Sequence, residues 1–126
     1  MIKIRYALGS GESGEAEVSG DTKWTFGRGE NESVSVDDGR VSRSALTIRD
    51  SAPGPVVFRG QRGGARVLIA GPEGPVRELP EGTATNLTPD ARLVELWLEG
   101  QLVLRAEVEF EERGSVRDRQ EDDGEG

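Results

Sequence analysis

Three arginines stand in glycine- and serine-rich turns between short apolar runs. Arg28 follows Trp24-Thr25-Phe26-Gly27, and Arg40 and Arg43 flank Val41-Ser42 ahead of Ala45-Leu46-Thr47-Ile48. A guanidinium is planar, permanently charged and forked, so it fits phosphate or carboxylate oxygens through charge-assisted hydrogen bonds. A hydroxyl such as that of Ser42 can donate to the same kind of oxygen. The residue types of this segment therefore suit capture of a small anion. Each also has an ordinary alternative. Arg28 can lay its stem on Trp24 or Phe26. Ser42 can bond local backbone, as turn hydroxyls do. Arg43 can be a solvated surface arginine.

The setting sharpens the question, because the chain as a whole is acidic. Its 126 residues carry a net charge of −8, which argues against a general nucleic-acid or anionic-membrane binder. The segment from Arg28 to Arg66 holds seven arginines against five acidic residues and is net +2, so the rest of the chain carries −10. The middle is a basic island, and its cations are all arginine.

Missing residue types remove much catalytic chemistry. With no histidine and no cysteine, Ser-His and Cys-His nucleophiles, imidazole and thiolate metal ligands and disulfides are all unavailable. Carboxylates remain, Asp37-Asp38 among them, but adjacent strand-end side chains point apart. We therefore expect no enzyme, no catalytic residue, no metal and no cofactor. No run resembles a secretory signal or approaches the roughly 20 apolar residues of a membrane span, and the expected location is the cytoplasm.

The elements that must position these side chains read as strands. Short alternating or β-branched runs are bounded by Gly, Pro, Asp and Ser: Ile2 to Leu8, Glu15 to Val18, Lys23 to Phe26, Val34 and Val36 around Ser35, Ser44 to Arg49, Pro55 to Arg59, Ala65 to Ala70, Val76 to Leu79, Arg92 to Leu98 and Gln101 to Phe110. Glu99-Gly100 reads as a tight hairpin turn. Trp24 and Trp97 are expected in the core. The pattern predicts an all-β, antiparallel sandwich or barrel over residues 1–110. The remainder, residues 111–126, is acidic and nearly devoid of apolar residues, and is expected to be a disordered tail.

Taken together, Gly27-Arg28, the spaced Val34 and Val36, Asp37-Asp38 and Val41-Ser42-Arg43 resemble the signature of the forkhead-associated (FHA) domain. Gly60 to Gly71 lies where that family has its Ser-Thr-Asn-Gly-Thr loop and the following strand. The resemblance spans about residues 1 to 110. It implies a β-sandwich of about eleven strands that binds phosphothreonine peptides through loops at one end. It implies that Arg28 holds the phosphate, that Ser42 donates its hydroxyl and that Arg43 adds charge. Partners implied are a phosphothreonine-bearing protein or peptide, including a Ser/Thr kinase or its substrate. The sequence departs from the signature at the family's histidine, where Ala45 stands, and at its peptide-gripping asparagine, where Gly63 stands. Arg62 occupies a position where threonine is common. Arg62 and Gly63 complete the candidate phosphopeptide-binding set. These departures keep a second reading open, a degenerate FHA scaffold that binds protein partners without phosphate.

Overall fold

The computed structural model describes residues 1–60 and 64–111. They form eleven strands: β1 Ile2–Leu8, β2 Ser13–Val18, β3 Lys23–Gly27, β4 Val34–Ser35, β5 Leu46–Arg49, β6 Val56–Arg59, β7 Arg66–Gly71, β8 Gly74–Leu79, β9 Ala84–Asn86, β10 Leu93–Leu98 and β11 Gln101–Glu109. One sheet has six strands in the order β2-β1-β11-β10-β7-β8, the other five in the order β4-β3-β5-β6-β9. Pairing is antiparallel except between β3 and the short β4, which run parallel. The expected sandwich and strand count hold. The expectation for the tail, apart from Glu111, lies outside the described residues.

Alternation builds the core between the sheets. In β11, Leu104, Ala106 and Val108 are buried while Arg105, Glu107 and Glu109 are exposed. Across the sandwich, Leu46 and Ile48 of β5 and Trp24 and Phe26 of β3 close the same apolar cluster. Trp24 stacks near Phe26 and tilts against Tyr6, with ring centroids 6.5 and 5.8 Å apart, so one indole ties β3 to β1. Phe110, 8% exposed, caps the cluster just beyond β11. The β10–β11 turn places Glu99 and Gly100 at φ of 51° and 80°, the two left-handed residues of a hairpin turn that follows the strand twist.

One expectation needs correction, and one strand has no counterpart in the sequence reading. Trp97 is only half-buried: it lies on the alternate face of β10 from Val94, Leu96 and Leu98, and its indole Nε1 donates to Glu95 Oε1 at 3.0 Å. Strand β9, with Ala84 and Asn86 exposed at a sheet edge, carries no apolar alternation by which the sequence could disclose it.

Candidate anion-binding site

Register brings the loops of interest to one end of the five-stranded sheet. Phe26 pairs with Val34 and Leu46, and Leu46 pairs with Arg59. The chain leaves β3 and β6, and enters β4 and β5, close to this row. The connections 28–33 and 36–45 and residue Gly60, which follows β6, therefore meet at the same end.

Backbone contacts then lock the first two connections together. The Arg28 amide donates to the Ser42 carbonyl at 3.2 Å, and Arg28 Nε donates to the Val41 carbonyl at 3.1 Å. Trp24 and Phe26 turn into the core, so the exposed Arg28 side chain is anchored by a hydrogen bond to Val41. Its Nη groups have no hydrogen-bond partner among the described residues. A Cβ at Gly29, whose φ is +124°, would meet Arg43 Cγ and Nε at 3.9 Å. The Arg43 side chain thus lies over the turn that follows Arg28. The fold places Arg28, Ser42 and Arg43 beside one another. Gly60 donates its amide to Ala45 O at 3.1 Å, so the connection that follows β6 starts against the second. Arg62 and Gly63, the other two candidates, lie outside the described residues.

Side chains that carried no signal in the sequence shape the same loops. Ser44 takes a left-handed φ of 49°, and Glu32 Oε2 accepts from both its amide and its hydroxyl, at 3.1 and 3.2 Å. The carboxylate stabilises a backbone conformation that serine seldom adopts. Glu32 Oε1 is buried without a hydrogen-bond partner among the described residues. Ser33 and Thr25 exchange two bonds, Ser33 N to Thr25 Oγ1 at 2.8 Å and Thr25 N to Ser33 Oγ at 2.9 Å, which fasten the 28–33 loop to β3. Ala45, at the position where the resembling family has histidine, is buried.

The basic island resolves into committed and uncommitted arginines. Arg59 is buried and donates Nη1 to Leu79 O at 2.8 Å and Nη2 to Ala65 O, so it holds β6 to the β7–β8 side of the molecule. Arg66 pairs with Glu78 across β7 and β8 at 2.9 Å. Arg40 forks onto Asp38, Nε to Oδ1 at 3.1 Å and Nη2 to Oδ2 at 2.8 Å, and reaches Glu99 at 2.9 Å. Arg28 and Arg43 have no ion-pair partner among the described residues.

The Arg40 fork has a consequence that titration can read. Side-chain hydrogen bonding from Arg40, then bonding from its backbone amide, holds the Asp38 carboxyl at about 2, below its ordinary 3.8. A carboxyl with a depressed folded pKa contributes stability that is present above the unfolded value of about 3.9. The contribution is lost as pH falls through about 2. Carbon-detected NMR titration of Asp38 is expected to show this low midpoint in the wild type. Arg40→Gln is expected to return it toward about 3.9. An unchanged midpoint in the variant would reject the fork as the cause.

The described architecture is the FHA fold. The chain matches FHA-1 of Mycobacterium tuberculosis Rv1747 with a TM-score of 0.58 and 16% sequence identity, over 86% of this chain and 98% of that one. It matches the FHA domain of an Arabidopsis thaliana hypothetical protein with a TM-score of 0.58 and 15% identity, over 98% of this chain and 91% of that one. No family model matches the chain, and no curated protein gives a significant sequence match. At such identities the likeness speaks for the fold, and function must be argued from the side chains of the site.

Proposed function

We propose that this protein is a non-catalytic interaction module that binds phosphothreonine-containing peptides, with Arg28, Ser42 and Arg43 forming the phosphate site. The observation that carries the reading is the convergence, at one end of the sandwich, of two arginines without carboxylate partners among the described residues, on loops joined through Ser42. In this reading Arg28, fixed through Nε, offers its Nη groups to the phosphate. The Ser42 hydroxyl donates to a phosphate oxygen, and Arg43 adds a second positive charge. Each charge-assisted bond contributes about 1.5–3 kcal/mol. A rigid sandwich beneath short loops lowers the ordering cost of capture. The partner is then a phosphothreonine-bearing protein of Ser/Thr-kinase signalling, met in the cytoplasm. The folded unit comprises residues 1–110, closed by Phe110, and Arg62 and Gly63 extend the site from the connection that follows β6.

Two observations favour the second reading, a scaffold that binds without phosphate. Ala45 supplies no side-chain hydrogen bond to the 41–45 turn, and the Glu32 carboxylate bound to Ser44 places negative charge beside the loops. Calorimetric titration with peptides that differ only in phosphorylation of one threonine separates the readings. Binding confined to the phosphorylated peptides is expected. Equal binding of both forms would establish the scaffold instead.

A further inference from the structure

The outward face of the five-stranded sheet carries a second surface, which borders the loop site at Ser44 but contains none of Arg28, Ser42 and Arg43. Trp24, Ile48 and Val57 point into the core, so their strand neighbours point out. Register sets these neighbours in two rows. Lys23 pairs with Arg49, Arg49 with Val56 and Val56 with Asn86, while Thr25 pairs with Thr47, Thr47 with Phe58 and Phe58 with Ala84. An open groove of about 540 Å³ lies over this face, and its described lining contains two cations and no carboxylate. Phe58 in its wall is 39% exposed. The Lys23 row is three residues along β3 from the Phe26 row, about 10 Å from the end where Arg28 emerges.

The first row is costly as built. Lys23 and Arg49 are directly opposite on antiparallel strands, an arrangement that repels. Neither has an ion-pair partner among the described residues. In a chain with a net charge of −8, a carboxylate beside either would be easy to supply. A like-charge pair left open next to an exposed aromatic ring is instead complementary to something the described residues do not provide.

We propose that this groove docks an acidic peptide segment of a partner protein that carries one apolar side chain. Carboxylates of the segment lie on Lys23 and Arg49, and its apolar side chain packs on Phe58 and Val56. Charge complementarity sets the class of partner, and the ring supplies the anchor, as aromatic side chains do at interfaces.

The test uses the full chain labelled with nitrogen-15 and an unphosphorylated peptide of aspartates and glutamates around a central leucine. Controls replace the acids by lysine or the leucine by glycine. The acidic peptide is expected to shift the amides of Lys23, Thr47, Arg49, Val57, Phe58 and Ala84, and neither control peptide to do so. Binding should weaken between about 0.1 M and about 1 M salt. Lys23→Glu should weaken it roughly tenfold or more while raising the melting temperature, because the opposed like charges become an attractive pair. Phe58→Ser should weaken binding as well. Opposite signs for binding and stability are the signature of a surface kept for docking. No shift at millimolar peptide, shifts confined to residues 28, 42 and 43, or unchanged affinity in folded Lys23→Glu would overturn the proposal. So would sedimentation showing that a second copy of the chain occupies this face. Because the peptide lacks phosphate, failure here is distinguishable from failure of the phosphothreonine reading.

Discussion

Arg28→Ala is expected to weaken binding of a phosphothreonine peptide by about 2 kcal/mol, roughly thirtyfold, and to leave the unphosphorylated peptide unaffected. The figure is that of one charge-assisted interaction between a guanidinium and a phosphate. The same substitution removes the bond from Arg28 Nε to Val41 O, so a fall in stability of about 1 kcal/mol accompanies it. Arg28→Lys separates the two contributions. Lysine keeps the charge but offers neither the fork nor Nε, so it should recover part of the affinity at most. Titrations well below the melting temperature, with a melt of each variant, check the expectation. Should folded Arg28→Ala bind the phosphopeptide as tightly as the wild type, Arg28 would be an anchor for Val41 and nothing more.

How far the sequence discloses this arrangement depends on the range of the physics involved. Strands β1, β10 and β11 are legible because alternation over six to nine residues is a local signal, and the Glu99-Gly100 turn is legible for the same reason. Strand β9 is not, because its short edge position asks little of its side chains. Within the site, Arg28, Ser42 and Arg43 could be grouped because the residues around them stand in a recognisable order. Apart from the local Arg40–Asp38 fork, the pairings that withdraw Arg40, Arg59 and Arg66 from the basic island join residues brought together by the fold. Arg40 meets Glu99 and Arg59 meets Leu79 O, across 59 and 20 positions of chain. Net charge along a segment therefore overstates its available cations. Glu32 illustrates the converse. In the sequence it is one acid among several, and its bonds to Ser44 arise only once the loop crosses β3. Trp97 marks a limit of composition as a guide, since a large aromatic ring on a sheet can face outward when its indole N–H finds a carboxylate.

The crossing of that loop rests on Gly27, and Gly27→Ala is expected to damage fold and site together. A Cβ there would stand 2.6 Å from Ser44 N, 2.8 Å from Ser42 O and 3.0 Å from Ala45 N. All three are backbone atoms, so relief requires the 42–45 turn to move away from β3 rather than a side chain to rotate. Overpacking of this kind costs about 1–3 kcal/mol. Movement of the turn would also break the bond from the Arg28 amide to Ser42 O, and with it the joint presentation of Arg28, Ser42 and Arg43. Gly39→Ala is the matched control. Nothing lies within 4 Å of a Cβ at Gly39 and its φ is not left-handed. That variant should match the wild type or gain up to about 1 kcal/mol from a stiffer unfolded chain. Urea unfolding gives the stability of both variants, and titration with the phosphorylated peptide reads the site. A Gly27→Ala protein that unfolds at the wild-type urea concentration would show that the turn can retreat without loss. The glycine before Arg28 would then carry no structural requirement, and the close approach of the 42–45 turn to β3 would not be what positions the arginines.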